Sequence, residues 1–336
     1  MKAFISRTLS GIDSLVMEEL PRPGALGSGQ VRIALRAASV NYRDLLVLSG
    51  ALPSVTLEDL IPCSDGAGEV VEVAADVSRV RVGDRVALTF NPDWIGGPWE
   101  PSLGGGGRGG ALQGVMRAEL VVHQQEAVIL PAHLSFGEGA TLPCAAVTAW
   151  HALCAARPLL PGMTVLLQGG GGVSLFALQF AKLFGARVIH ISSSPERCAR
   201  LKSLGADETI DYRTHPQWST QVRELTRGGA DLTIDVGGAD TIGQSLASTR
   251  LFGRVALVGR LTGRASVVPM GSSYVEMAPV AVGSRQDFEA MNRAIAFHEL
   301  RPVIDSRYEF ARLPEALRRL ESGRHMGKIV IDFGDL

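Results

Sequence analysis

The spacing of apolar residues changes character near Pro143. Ahead of it, Gln30–Val40, Gly68–Ala74 and Glu119–His123 read as short strands, and the Arg81–Arg85 turn feeds another at Val86–Thr89. Residues 91–114, with Trp94, Trp99 and the run Gly104–Gly107, carry little periodicity and read as a loop or lobe. Beyond Pro143, strand-like and helix-like runs alternate. Strands are predicted at 164–168, 187–192, 208–212, 231–236 and 254–258, with helices at 173–184, 195–204, 216–227 and 240–250 between them. Such alternation predicts a parallel, doubly wound sheet covered by helices on both faces. A short helix at 313–320 and a strand at 328–333 end the chain and are expected to return to the β-rich part. The expected division is 1–143 with 286–336 against 144–285.

The segment TVLLQGGGGVSLFALQFAKLFG at 164–185 is the most informative one. A strand runs into Gly169, Gly170, Gly171 and Gly172, and Val173, Phe176, Ala177, Phe180, Ala181 and Phe184 then follow one helical face. Bare glycines let a pyrophosphate approach the backbone, and the helix N-terminus adds partial positive charge. In G-x-G-x-x-G register the third place is held by Ser174, small enough to let helix and strand pack closely. An acidic residue closing the second strand would select NAD. Here that strand ends in Ser192, Ser193 and Ser194 with Arg197 just beyond, which suits a 2′-phosphate. The cofactor expected is therefore NADP rather than NAD, although the serines and arginine could equally serve only a helix cap and the surface.

Composition narrows the class. Hydrophobic residues make up 46% and charged residues 20%, with a net charge of −1. No basic block suggests nucleic acid or a membrane surface. The most apolar run, 140–156, is too short to span a bilayer and reads as a buried helix. Four scattered cysteines and an N-terminus without a signal-peptide pattern lead to the expectation of a reducing cytoplasm.

Several landmarks occur together in order: Asn41-Tyr42-Arg43-Asp44, Ser64-Asp65-Gly66-Ala67-Gly68-Glu69-Val70, Gly83-Asp84-Arg85-Val86, Leu142-Pro143-Cys144 to Thr148-Ala149-Trp150, the glycine loop, Leu204-Gly205-Ala206-Asp207 and Gly327-Lys328. With these the chain resembles the medium-chain dehydrogenase/reductase superfamily over almost its whole length. The resemblance implies an α/β protein with a GroES-like catalytic domain and a Rossmann domain, the cofactor lying in the cleft between them. It also implies hydride transfer involving a nicotinamide, a small-molecule substrate and, often, a homodimer. Thr148 is then placed against the nicotinamide. Val236, Gly237, Val258 and Gly259 line the cleft, and Tyr212 flanks the adenosine phosphate.

Departures from the zinc alcohol dehydrogenases of that superfamily select a branch. Tyr42 stands near the first ligand's place, Ser64 stands where a histidine would be, and only Cys144 matches. One thiolate cannot build a catalytic zinc site, and residues 90–125 have no cysteine for a structural one. No zinc is expected, and the chain resembles the zinc-independent quinone oxidoreductase-like branch. Without a Lewis acid, quinones and α,β-unsaturated carbonyls are easier acceptors than simple ketones. Tyr42 is the candidate donor to the developing oxyanion, with interdomain packing as its alternative, and Asn41 would orient substrate or carboxamide. Arg285 is a candidate for a cofactor phosphate or, equally, for the surface alone, Ser284 for cofactor contact, residues 265–284 for a dimer interface, and Asp44 for the cap of a helix through 45–48. NAD-linked alcohol oxidation and a non-catalytic NADPH-binding structural or sensor protein are the alternatives.

Overall fold

The computed structural model describes residues 1–52, 58–100, 103, 107–155, 157–259, 261, 263 and 274–334. Two compact units divide the chain, Met1–Val147 with Gly283–Leu336, and Thr148–Val282.

The first unit opens with β1 (Lys2–Ser6) and β2 (Leu15–Glu19), an antiparallel pair. There follow β3 (Gln30–Val40), α1 (Tyr42–Leu48), β4 (Asp65–Val73), β5 (Arg85–Leu88), β6 (Glu119–His123), β7 (Ala127–Ile129) and α2 (Phe136–Gly139). The described residues of 140–156 do not form the single helix expected. Pro143 has no N–H to donate, and a π-helical turn at Leu142–Ala146 precedes α3 (Val147–Cys154).

The second unit holds β8 (Thr164–Gln168), α4 (Gly172–Leu183), β9 (Arg187–Ser192), α5 (Pro195–Ser203), β10 (Glu208–Asp211), α6 (Trp218–Thr226), β11 (Ala230–Asp235), α7 (Ile242–Ser248), β12 (Thr249–Leu257) and β13 (Glu276–Pro279). Its six strands are all parallel, in the order β10-β9-β8-β11-β12-β13. This is the dinucleotide-binding order, in which the winding reverses between the first and fourth strands. That reversal falls between β8 and β11. Helix α4 is buried on more than the one face expected, Leu175 and Leu178 included. Trp150 stands edge-on to Phe180 at 5.3–5.4 Å from the rings of Phe180 and Phe184.

The chain then adds α8 (Arg285–Phe297), β14 (Ile304–Glu309), α9 (Leu313–Glu321) and β15 (Lys328–Asp332) to the first unit. The seven-stranded sheet there runs β14-β15-β3-β4-β5-β7, with β6 also pairing β3. Its core gathers Phe4, Ile33, Leu48, Val86, Phe310, Leu317 and Ile331. The 13-residue α8, together with β1, β2, β7 and β14, went unread in the sequence. Helix α8 has a full capping box, Ser284 with Asp287, that is plain in retrospect. Among the described residues no helix is long and apolar enough to cross a membrane.

Candidate functional site

In the second unit the carboxyl ends of β8 and β11 flank the point where the winding reverses. Gly169 leaves β8 with φ +72°, a conformation that suits glycine, and a Cβ on Gly169 or Gly171 would enter open space. The amide N–H of Gly169 is held by the Ile191 carbonyl, and Gly171 precedes the 12-residue helix α4. Ser174 takes the third glycine place and its hydroxyl donates to the Gln168 carbonyl, which ties helix to strand. Beside it, buried His190 of β9 bonds the Gly169 carbonyl through Nε2. Burial pushes the pKa of His190 down to about 4, so the ring stays neutral with Nε2–H as the donor.

Asp235 closes β11 and organises the next turn. Buried, it accepts the Gly238 N–H at 2.9 Å, the Thr241 hydroxyl at 2.9 Å and the Ser245 hydroxyl. Its carbonyl accepts from Val258 and Gly259, which binds the ends of β11 and β12 together. An added Cβ on Gly259 would lie 1.7 Å from the Val236 carbonyl oxygen. Val236, Gly237, Val258 and Gly259 therefore sit with the glycine loop at one end of the sheet. At the end of β9, the Ser192 hydroxyl is buried and has no partner, whereas Ser194 caps α5 through the Arg197 N–H. Tyr212, 40% exposed, gives its N–H to the Ser192 carbonyl. The open glycine cradle and the orphaned Ser192 hydroxyl fit a dinucleotide. Thr148 is buried near the start of this unit.

Ser284 and Arg285 fall in the first unit. The Ser284 hydroxyl is taken up by the α8 cap, donating to Asp287 and accepting its N–H, and Arg285 is held by Gln125 and Glu289. A phosphate-binding role would require both to give up these bonds.

The first unit contains a buried polar cluster where three strands meet. The register sets Val40 opposite Ile329 and Ser39 opposite Asp65, so the ends of β3, β4 and β15 converge. Lys328, 3% exposed, donates to the Val40 carbonyl at 3.0 Å and to Asn41 Oδ1, and stands 3.9 Å from Asp65. Asp65, fully buried, accepts from the Ser64 hydroxyl at 2.6 Å and the Cys144 N–H at 3.2 Å. The Asn41 N–H goes to Asp44, so Asn41 is the cap of α1 and Asp44 its reciprocal partner, not the cap expected. Burial raises the Asp44 pKa to about 6, against the pull of Arg43. Tyr42, the first residue of α1, is 41% exposed.

This cluster does not suit a catalytic zinc ion. Among the described residues no three His, Cys, Asp or Glu side chains gather as a metal requires. The Lys328 ammonium already supplies the local positive charge there, beside Asn41 Oδ1 and Asp65. The sequence offers Lys328 only within the Gly327-Lys328 landmark, and Asp235 and His190 are not among the expected site residues. The available signal was a lone charge or imidazole within an otherwise apolar strand, as in Lys328-Ile329-Val330-Ile331.

Residues 27–132 match the alcohol dehydrogenase GroES-like domain and residues 172–296 the zinc-binding dehydrogenase family. A zinc-type alcohol dehydrogenase-like protein of Schizosaccharomyces pombe is 36% identical over 96% of each chain. A quinone oxidoreductase of Pseudomonas aeruginosa is 30% identical over 92% of this chain and 93% of its own. The solved structure of a candidate alcohol dehydrogenase from Sinorhizobium meliloti superposes with a TM-score of 0.92 at 38% identity, covering 99% of this chain and 98% of that one. The chain belongs to the medium-chain dehydrogenase/reductase family, and it is an oxidoreductase.

Proposed function

We propose that this oxidoreductase is zinc-free, prefers NADPH, and reduces quinones or α,β-unsaturated carbonyls. The observation that carries this reading is the cluster around Lys328, where a buried ammonium and an asparagine amide stand in place of a metal donor set. Hydrogen-bond donors suffice for an acceptor whose conjugation spreads the incoming charge, whereas a simple ketone gains more from a Lewis acid. When bound, NADPH supplies the hydride. The chain holds its pyrophosphate on the backbone of Gly170–Gly172 and Val173, with bare Gly169 leaving room for its approach, and its 2′-phosphate on Ser192, Ser193 and Arg197. Thr148 and the strand ends at Val236, Gly237, Val258 and Gly259 orient the nicotinamide, and Tyr212 flanks the adenosine side. Tyr42 donates a hydrogen bond or proton to the substrate oxygen as it becomes negative, and Asn41 fixes the substrate's orientation.

We further propose a homodimer in a reducing cytoplasm. Edge strand β13, with exposed Met277 beside exposed Leu251, Phe252 and Tyr274, supports the pairing. Residues 265–273 of the expected interface lie outside the described residues.

The test follows the loss of reduced-nicotinamide absorbance against quinones, enones, aldehydes and ketones, with NADPH and NADH in parallel and a strong chelator in half the samples. Conjugated acceptors turned over with NADPH preferred, unaffected by chelator, are expected. Ketone reduction abolished by chelator and restored by zinc would overturn the proposal.

A further inference from the structure

The bond between Lys328 and Asn41 has a consequence for the amide at its other end. An ammonium can only donate, so the oxygen of the Asn41 amide must face Lys328. The amide nitrogen is thereby directed away from it. This Nδ2 is buried and has no hydrogen-bond partner. Leaving a buried donor unmet costs free energy, and a rotation of the amide would place N–H against ammonium, which costs more. The backbone cannot relieve it either. The Asn41 N–H is held by Asp44 at 2.8 Å, and the preceding Val40 carbonyl by the same Lys328. The side chain is thus pinned at both ends, with one donor kept unsatisfied beside exposed Tyr42.

We propose that Lys328 is a positioning residue. It locks the Asn41 amide so that Nδ2–H is reserved for an acceptor oxygen brought by the substrate, and its charge, acting through Oδ1, strengthens that donor. The ammonium draws electron density toward Oδ1 and leaves the N–H more positive, so the bond tightens as negative charge develops on the substrate oxygen. Asp65, 3.9 Å from Nζ and held by Ser64 and Cys144, keeps the cation in place. This inference rests on the proposed reductase function and names a device within it.

Asn41→Asp keeps the acceptor for Lys328 and the shape of the side chain, but removes the N–H. It is expected to fold with an unchanged Kd for NADPH and to lose about a hundredfold or more in kcat. Lys328→Met keeps the length of the side chain and frees the amide. A tenfold or greater loss in kcat is expected in the Asn41 background and little further loss in the Asn41→Asp background, since both changes remove one device. Equal losses from Lys328→Met in both backgrounds would mark a purely structural lysine and overturn the proposal, as would wild-type kcat in Asn41→Asp. The cycle is run with whichever acceptor the panel shows to be reduced, so a ketone substrate would sink the functional reading while still testing the lysine. If no acceptor is reduced, the same four proteins are compared for the Kd of a naphthoquinone. Coupled losses there support the positioning role, and equal affinities, or no binding by any of the four, overturn it.

Discussion

Acidification from pH 7 to pH 5 is expected to destabilise the second unit through one side chain, His190. The imidazole is fully buried in β9, its Nε2–H is spent on the Gly169 carbonyl, and Nδ1 has no partner. Desolvation lowers its pKa from the ordinary 6.5 to about 4, although the bond to Gly169 favours the charged form. The unfolded chain therefore binds a proton that the folded one refuses. The resulting stability is fully present above about pH 6.5 and is lost as pH falls toward 4, by up to ~3 kcal/mol. Between pH 7 and pH 5 the share lost is about 2 kcal/mol. Asp44 in the first unit acts with the opposite sign. Its pKa is raised from 3.8 to about 6, so its contribution is present at low pH, is lost as pH rises through 6, and offsets about 1 kcal/mol over the same interval. Comparison with His190→Gln, which can keep a donor to Gly169, isolates the histidine because Asp44 is common to both proteins. Urea unfolding followed by tryptophan fluorescence at the two pH values should show the wild type losing about 2 kcal/mol more than the variant. Parallel losses would mean that the buried ring takes up a proton freely, and the reasoning would fail.

Other expectations concern the site directly. Tyr42→Phe should lower kcat by about a hundredfold with KM little changed, and an unchanged kcat would leave Tyr42 with packing alone. Arg197→Ala should raise the KM for NADPH by about tenfold and leave that for NADH alone, whereas equal effects on both cofactors would remove the 2′-phosphate reading. Gly259→Ala drives a Cβ against the Val236 carbonyl oxygen, so it should cost about 1–3 kcal/mol, read as a lower Tm, and weaken NADPH binding. A Tm equal to that of the wild type would refute that account.

Much of the second unit was legible in the chain because its determinants are local. The strand at 164–168, the glycine turn and the serine cap at Ser194 each rest on residues within a few positions of one another. The landmarks quoted along the chain carried the family itself, and the absence of a carboxylate after β9 needed only the order of residues. Element ends shifted where the backbone of one residue intervened, as at Pro143, whose missing N–H accompanies a π-turn ahead of α3 in place of one expected helix. The strands of the first unit that the sequence hid, β1, β2, β7 and β14, are short or half-exposed, so their apolar pattern is weak, and they persist through pairing with other strands. The polar cluster was beyond reading for the same reason. Lys328 lies 287 residues from Asn41, and only the pairing of β15 with β3 and of β3 with β4 brings it to Asn41 and Asp65. Sequence alone determined the kind of cofactor cradle, since a turn and a helix start are set by neighbours. The tertiary structure decided the buried polar cluster around Lys328, since a buried charge and its partners are set by sheet register.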